Sequence, residues 1–298
     1  MTIEQVTVIG GGILGSQIAY QTAFKGLKVV LYDINDEAMK AAKQHIKLLK
    51  ADYQRDLKIT DGAFEQGLEQ LSYSTDLADA VKNADLVIEA IPEKIAIKQS
   101  FYESLAKVAP AKTIFASNSS TLLPSQLKDF TGRPKQYLHI HFANQIWIRN
   151  TAEVMGSPET DPEVFNQAVA FAKTIGMVPI PLKKEQPRYV LNTMLIPWLN
   201  AALILWAKGV AEPATIDKTW MIDLGVAVGP FAVLDVIGMK THYNIVVTEA
   251  EATDNDDLRL VAKKMKERID ANKLGPTTGE GFYHWPNPEF MAPDFLMD

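Results

Sequence analysis

Three glycines, Gly10, Gly12 and Gly15, stand at G-x-G-x-x-G spacing directly after the apolar run Val6-Thr7-Val8-Ile9. That spacing suits a phosphate-binding turn. Gly10 permits a tight turn, Gly12 lets the backbone approach a pyrophosphate, and Gly15 lets a helix lie close on the strand. The helix opened by Ile13 and Leu14 would offer its free N–H groups and its dipole to the phosphates. A second apolar run, Leu27 to Tyr32, ends in Asp33, 18 residues past the last glycine. A carboxylate there accepts from a ribose 2′-hydroxyl and repels a 2′-phosphate, and Ile34, Asn35 and Asp36 offer no arginine to reverse the preference. The expected cofactor is therefore NAD rather than NADP.

A nicotinamide reaction also needs an acid–base group that titrates near neutrality, and the chain has five histidines. His45 falls in a charged helical segment and is expected to be solvated; His242 and His284 fall in the later half and its tail. His139 and His141 lie in Leu138-His139-Ile140-His141-Phe142-Ala143-Asn144, at the end of a strand-like run. Ligands of doubly wound sheets bind beyond the carboxyl ends of strands, which brings this pair nearer the cofactor than the others. Alternation puts both on one side of the strand, so the period leaves the choice open, with His141 nearer the carboxyl edge. Ser117, Asn118, Ser119 and Ser120 end the preceding strand. They could hold a hydroxyl or carbonyl, or equally terminate the strand and cap a helix.

The elements that must position these residues follow from the hydrophobic pattern. Residues 1 to about 182 alternate strand-like and helix-like segments, the pattern of a parallel sheet covered on both faces by helices. After Lys183-Lys184-Glu185-Gln186-Pro187 the chain reads as successive helices, one of them running unbroken from Phe231 to Ala250. The expected architecture is α/β: a Rossmann-type doubly wound sheet over residues 1–186, then an all-helical domain over 187–298. The apolar stripe from Leu195 to Trp206 suits a homodimer contact, or else an internal core.

Composition narrows the partners. A hydrophobic share of 47% supports a substantial core, and a formal charge of -6 disfavours nucleic acid or an anionic membrane. Zero cysteines exclude disulfides, thiol catalysis and thiolate metal sites, and suit the cytoplasm. No metal is expected. The most apolar segment, Met194 to Ala207, is interrupted by Pro197 and Asn200 and is too short to span a bilayer. No basic, apolar leader precedes the first strand, so the chain is expected to start as it is read.

Along nearly its whole length the chain resembles the L-3-hydroxyacyl-CoA dehydrogenases. The resemblance is carried by Ile88-Glu89-Ala90-Ile91-Pro92-Glu93 with Lys98, by Phe115-Ala116-Ser117-Asn118-Ser119-Ser120, and by His141-Phe142-Ala143-Asn144 with Glu153. Gly229-Pro230-Phe231 with Leu234-Asp235, and Thr278-Gly279-Glu280-Gly281-Phe282-Tyr283, look like the family's later motifs. The resemblance implies His141 as catalytic base with Glu153 as its partner, and Ser120 and Asn192 as partners of the reacting oxygen. It also implies that Ala90, Glu93, Lys98, Asn118 and Asn144 line the cofactor, although Glu93 and Lys98 read equally as an exposed pair at a helix start. The implied activity is interconversion of a 3-hydroxyacyl-CoA and its 3-oxoacyl-CoA with NAD, by a protein resembling 3-hydroxybutyryl-CoA dehydrogenases. Two departures affect the substrate: Gln145 stands where the family has a proline, and Arg188-Tyr189 where it has Gly-Phe. A dehydrogenase of a free 3-hydroxy acid such as gulonate or carnitine, with Arg188 as a carboxylate clamp, is the first alternative. A nucleotide-binding structural or regulatory protein without catalysis is the second.

Overall fold

The computed structural model describes residues 2–297, and the chain divides into two compact units after Val190. In the first unit the strands are β1 (Gln5–Ile9), β2 (Lys28–Tyr32), β3 (Leu71–Ser74) and β4 (Leu86–Glu89), then β5 (Ile114–Ser117), β6 (Tyr137–Phe142), β7 (Thr151–Gly156) and β8 (Val178–Pro181). They form one sheet in the order β3-β2-β1-β4-β5-β6-β7-β8. The order reverses between β1 and β4, and that switch point is where doubly wound sheets bind ligands, beyond the strands' carboxyl ends. The helices of this unit are α1 (Ile13–Phe24), α2 (Asp36–Leu57), α3 (Asp61–Glu69), α4 (Leu77–Val81), α5 (Ile95–Val108), α6 (Pro124–Leu127) and α7 (Pro162–Thr174).

Alternation along the strands builds two apolar layers. Val6 and Val8 of β1 pack with Ile18 and Ala19 of α1 and with Phe171 of α7 on one face, whereas Ile9 packs with Tyr102 and Leu105 of α5 on the other. α2 shows why its residues choose a helix. Met39, Ala42, Ile46, Leu49 and Tyr53 recur every three or four residues and are buried, and the Asn35 side chain accepts from the Ala38 N–H as the N-cap.

The sheet is not wholly parallel. β7 runs antiparallel to β6, while every other pair is parallel. Residues 143–150 between them are too few for a crossover helix, so the chain must return as a hairpin. This departs from the all-parallel reading, and it decides the site.

The second unit comprises α8 (Leu191–Ala207), α9 (Pro213–Leu224), α10 (Pro230–Ile237), α11 (Met239–Thr253) and α12 (Asp256–Asp270). The helix expected from Phe231 to Ala250 is two helices, because Gly238 between them takes a φ of +96° that ends α10. Two buried aspartates organise this unit. Asp217 accepts from the N–H groups of Phe231 and Ala232 and from the Tyr283 hydroxyl, and burial pushes its carboxyl up to about 6. Asp235 accepts from the N–H groups of Phe282 and Tyr283 and from the Trp285 indole. The motifs around Pro230 and Gly281 are thus hydrogen-bonded braces. On α8, Leu199, Ala202, Leu203 and Ala207 face this unit's own core, so most of the apolar stripe is used internally.

Candidate active site

At the carboxyl end of β1 the chain turns through Gly10, whose φ is +92°, and a Cβ on Gly15 would lie 1.9 Å from the Gly10 carbonyl oxygen. Any side chain at position 15 would force α1 off the sheet. Over Gly12 a Cβ would meet nothing within 4 Å, leaving the turn open on that side. No side chain caps the N-terminus of α1 and no acid stands in its first turn, so its N–H groups suit an anion. Asp33, at the end of β2, is held by the N–H groups of Gly11 and Ile34. His45, expected to be solvated, instead bonds through Nδ1 to the Gly11 carbonyl at 3.0 Å and is half-buried, because α2 packs against the turn. These residues fit a dinucleotide: an open glycine turn, an uncapped helix end and an oriented carboxylate.

A cleft of about 290 Å³ continues from the turn, lined by Gly12, Ile13, Leu14 and Gly15 on one side and by Ala90, Glu93, Lys98, Asn118 and Ser120 on the other. The turn and the β4 and β5 ends, read separately in the sequence, therefore meet. Lys98 is buried and not part of an exposed pair. Its ammonium lies 2.5 Å from Oε1 of Glu89 and 3.2 Å from Glu93, because Tyr102 and Leu105 draw the same face of α5 onto the sheet. Glu89, unremarked in the sequence except as part of its motif, is fully buried and also accepts from Ser117 and Tyr102. Glu93 ties down the turn after β5, accepting on Oε1 from the Ser119 hydroxyl, the N–H groups of Ser120 and Thr121 and the Thr121 hydroxyl. Partial burial opposes its ionisation, but the Ser119 bond and the Lys98 charge outweigh that and hold its carboxyl down to about 2.

The antiparallel register places His141 of β6 directly opposite Glu153 of β7. Nδ1 of His141 lies 3.0 Å from Oε2 of Glu153, and Nε2 lies 3.1 Å from the Ser120 hydroxyl. Both side chains of the pair are nearly buried. Glu153 uses its other oxygen to accept from the Val190 N–H. His139, two residues earlier, is fully buried, and burial together with Lys98 pushes its imidazole down to about 3. The structure therefore separates the two histidines that strand period could not: His139 stays neutral in the interior, while His141 reaches the serine turn. Asn118 accepts from the Phe142 N–H and joins the ends of β5 and β6. Asn144 is exposed in the loop after β6, and Asn192 stands half-buried in the first turn of α8, in the second unit.

The match to known proteins extends over both units. Residues 5–186 match the NAD binding domain of 3-hydroxyacyl-CoA dehydrogenase, and residues 189–285 match the C-terminal domain of the same enzyme. The chain belongs to the 3-hydroxyacyl-CoA dehydrogenase family. It is an NAD-dependent oxidoreductase of that kind. It is 34% identical to the mitochondrial hydroxyacyl-coenzyme A dehydrogenase of Homo sapiens, covering 95% of this chain and 91% of the relative. Among solved structures it is similar to a diketoreductase described as acting on dicarbonyl compounds, with 52% identity, a TM-score of 0.91, and 96% and 100% of the two chains covered. It is also similar to the (S)-3-hydroxybutyryl-CoA dehydrogenase of Ralstonia eutropha, with 28% identity, a TM-score of 0.82, and 95% and 99% covered.

The two departures from the family pattern now have a conformational content. Gln145 has a φ of +63° and donates its N–H to the Gln17 side chain, neither of which a proline can do. The loop after β6 in this chain is therefore one a proline could not enter. Arg188 has a φ of +66°, a left-handed conformation that glycine adopts easily and a bulky side chain does not. Tyr189, noticed in the sequence only as a departure, lies with its ring 4.5 Å from that of His141 and nearly parallel to it, at 14°. Strand and helix periodicity carry no signal for such a contact.

Proposed function

We propose that the protein interconverts a 3-hydroxyacyl thioester of coenzyme A and its 3-oxo counterpart, with His141 as the acid–base residue. The acid–base role is carried by the His141–Glu153 pair in register, with Ser120 on the second ring nitrogen, and the thioester is supported by the match of both domains to 3-hydroxyacyl-CoA dehydrogenase. Glu153 accepts the Nδ1 proton, which leaves Nε2 as the basic nitrogen on the serine side. In oxidation Nε2 accepts the proton of the substrate hydroxyl, and Glu153 stabilises the resulting imidazolium; in reduction the imidazolium returns the proton to the carbonyl oxygen. NAD, when bound, takes the hydride from the same carbon.

Ser120 and Asn192 are assigned to the reacting oxygen. Ala90, Glu93, Lys98, Asn118 and Asn144 are assigned to the nicotinamide end, and Gly10, Gly12, Ile13, Leu14, Gly15 and Asp33 to the phosphates and ribose. A homodimer is part of the proposal, supported by the exposed apolar side chains of Ile222, Leu224, Val226 and Val228. The cytoplasm is the proposed compartment, supported by the cysteine-free sequence; no helix among the described residues is long and apolar enough to cross a membrane.

A second reading is a substrate without coenzyme A, a dicarbonyl compound or a free 3-hydroxy acid. It is favoured by the 52% identity to the diketoreductase and by the altered positions Gln145 and Arg188. One experiment separates the readings: NADH oxidation with acetoacetyl-CoA, free acetoacetate and acetylacetone, by the wild type and by His141→Asn. The thioester is expected to give the highest kcat/KM. His141→Asn is expected to lose about 100-fold or more of turnover on every active substrate while still binding NADH. Activity confined to the compounds without coenzyme A overturns the thioester assignment, and full activity of His141→Asn overturns the base.

A further inference from the structure

We infer that Tyr189 is a positioning residue of the acid–base site: its ring holds the plane of His141, and its hydroxyl fixes the turn that presents Ser120. The inference rests on the roles proposed above for His141 and Ser120.

Tyr189 is fully buried, and its hydroxyl makes two bonds of opposite sense. It donates to the Ser119 carbonyl at 2.7 Å and lies 3.0 Å from Nδ1 of His139. A phenol has one proton to give, so Tyr189 accepts from His139, which must carry its own proton on Nδ1. Nε2 of His139 is then an acceptor, and the Tyr137 hydroxyl 3.0 Å away is its donor. Every bond in the series Tyr137, His139, Tyr189, Ser119 thus runs in one direction, and only a neutral His139 permits it.

The far end of that series is the peptide joining Ser119 to Ser120. Its carbonyl is held by Tyr189 and its N–H by Oε1 of Glu93 at 3.0 Å. A peptide plane gripped at both polar atoms anchors the Cα of Ser120, whose hydroxyl lies 3.1 Å from Nε2 of His141. Next to Tyr189 in the chain, Val190 donates its N–H to Glu153. Tyr189 and Val190 together therefore touch the base, the carboxylate and the peptide that precedes Ser120.

The backbone cost supports a role beyond filling space. Arg188 and Tyr189 both have left-handed φ values, 66° and 55°, in a region that bulky side chains seldom adopt. Such a conformation persists where surrounding bonds over-determine it, as the hydroxyl of Tyr189 and the N–H of Val190 do here.

The test is a kinetic double-mutant cycle on the full-length protein, with the substrate found active above and with NADH binding followed by fluorescence. Tyr189→Phe keeps the ring and removes the hydroxyl; it is expected to lower kcat about 10-fold with KM for NADH unchanged. In a Ser120→Ala background the same change should cost less than about 2-fold, because the hydroxyl acts through Ser120. Tyr189→Leu, which also removes the stacked ring, is expected to lose a further factor of about 10 that Phe restores. If Tyr189→Phe proves insoluble, His139→Asn withdraws the donor to the same hydroxyl and should show the same coupling to Ser120. Equal fold-losses in both backgrounds, or full kcat in Tyr189→Phe beside an inactive His141→Asn, overturn the inference alone. An active His141→Asn overturns the acid–base reading and this inference with it.

Discussion

Glu89 and Lys98 are a buried ion pair in the wall of the cleft beside the glycine turn, with neither side chain more than 1% exposed. Removing one partner of such a pair strands the other charge in the interior, which costs more than the pair itself contributes. Lys98→Met is therefore expected to destabilise the first unit by about 3 kcal/mol or more. A urea unfolding midpoint read by far-UV circular dichroism checks this, and an unchanged midpoint would show Glu89 fully satisfied by Ser117 and Tyr102. At this scale the sequence was legible where a residue type has few reasons to occur. Gly10, Gly15 and Asp33 answer local backbone demands within one βαβ unit, so spacing reveals them. Glu89 and Tyr189 do not, because their roles depend on partners brought in by the fold: Tyr189 reaches residues 50 and 70 positions away.

Among the elements, β6 and β7 contribute most to the site. β6 carries one histidine for the interior and one that meets the Ser120 hydroxyl, and the interior one makes stability depend on pH. Folded, His139 resists protonation down to about 3; unfolded, it takes a proton near its ordinary 6.5. As pH falls below about 6.5 the unfolded chain binds a proton that the folded chain refuses, so stability declines. By pH 5 this residue alone accounts for about 2 kcal/mol of loss. His139→Gln is expected to flatten the decline between pH 6.5 and 5 in urea midpoints taken across that range; a parallel decline would remove His139 as its source. Alternation announced most strands and helices, but not the direction of β7, which depends on the short connection from β6. Nor did it reveal the break at Gly238, since an apolar helical period continues across a glycine whose conformation only the structure shows.

For the whole molecule, the change from alternating strands and helices to helices alone marked the two-unit organisation, because each pattern buries a different kind of face. Their division after Val190 falls four residues beyond the one expected from the polar stretch, since Tyr189 and Val190 are hydrogen-bonded into the first unit. One group of the exposed apolar side chains of the second unit lies at the end of α9 and just beyond it: Ile222 and Leu224 are each 56% exposed, and Val226 and Val228 each 41%. A second copy of the chain covering them would give a particle of twice 33.0 kDa. Ile222→Asp combined with Leu224→Asp is expected to convert that dimer to monomer in sedimentation velocity; a wild-type protein already monomeric at micromolar concentration would count against the assembly.

The pairing of His141 with Glu153 across two antiparallel strands has an evolutionary corollary. Because ladder register, and not the intervening eight residues 143–150, keeps imidazole and carboxylate face to face, insertions or deletions there can reshape the neighbourhood without separating the two. Substrate range can thus diversify among descendants while the proton-handling couple is inherited intact.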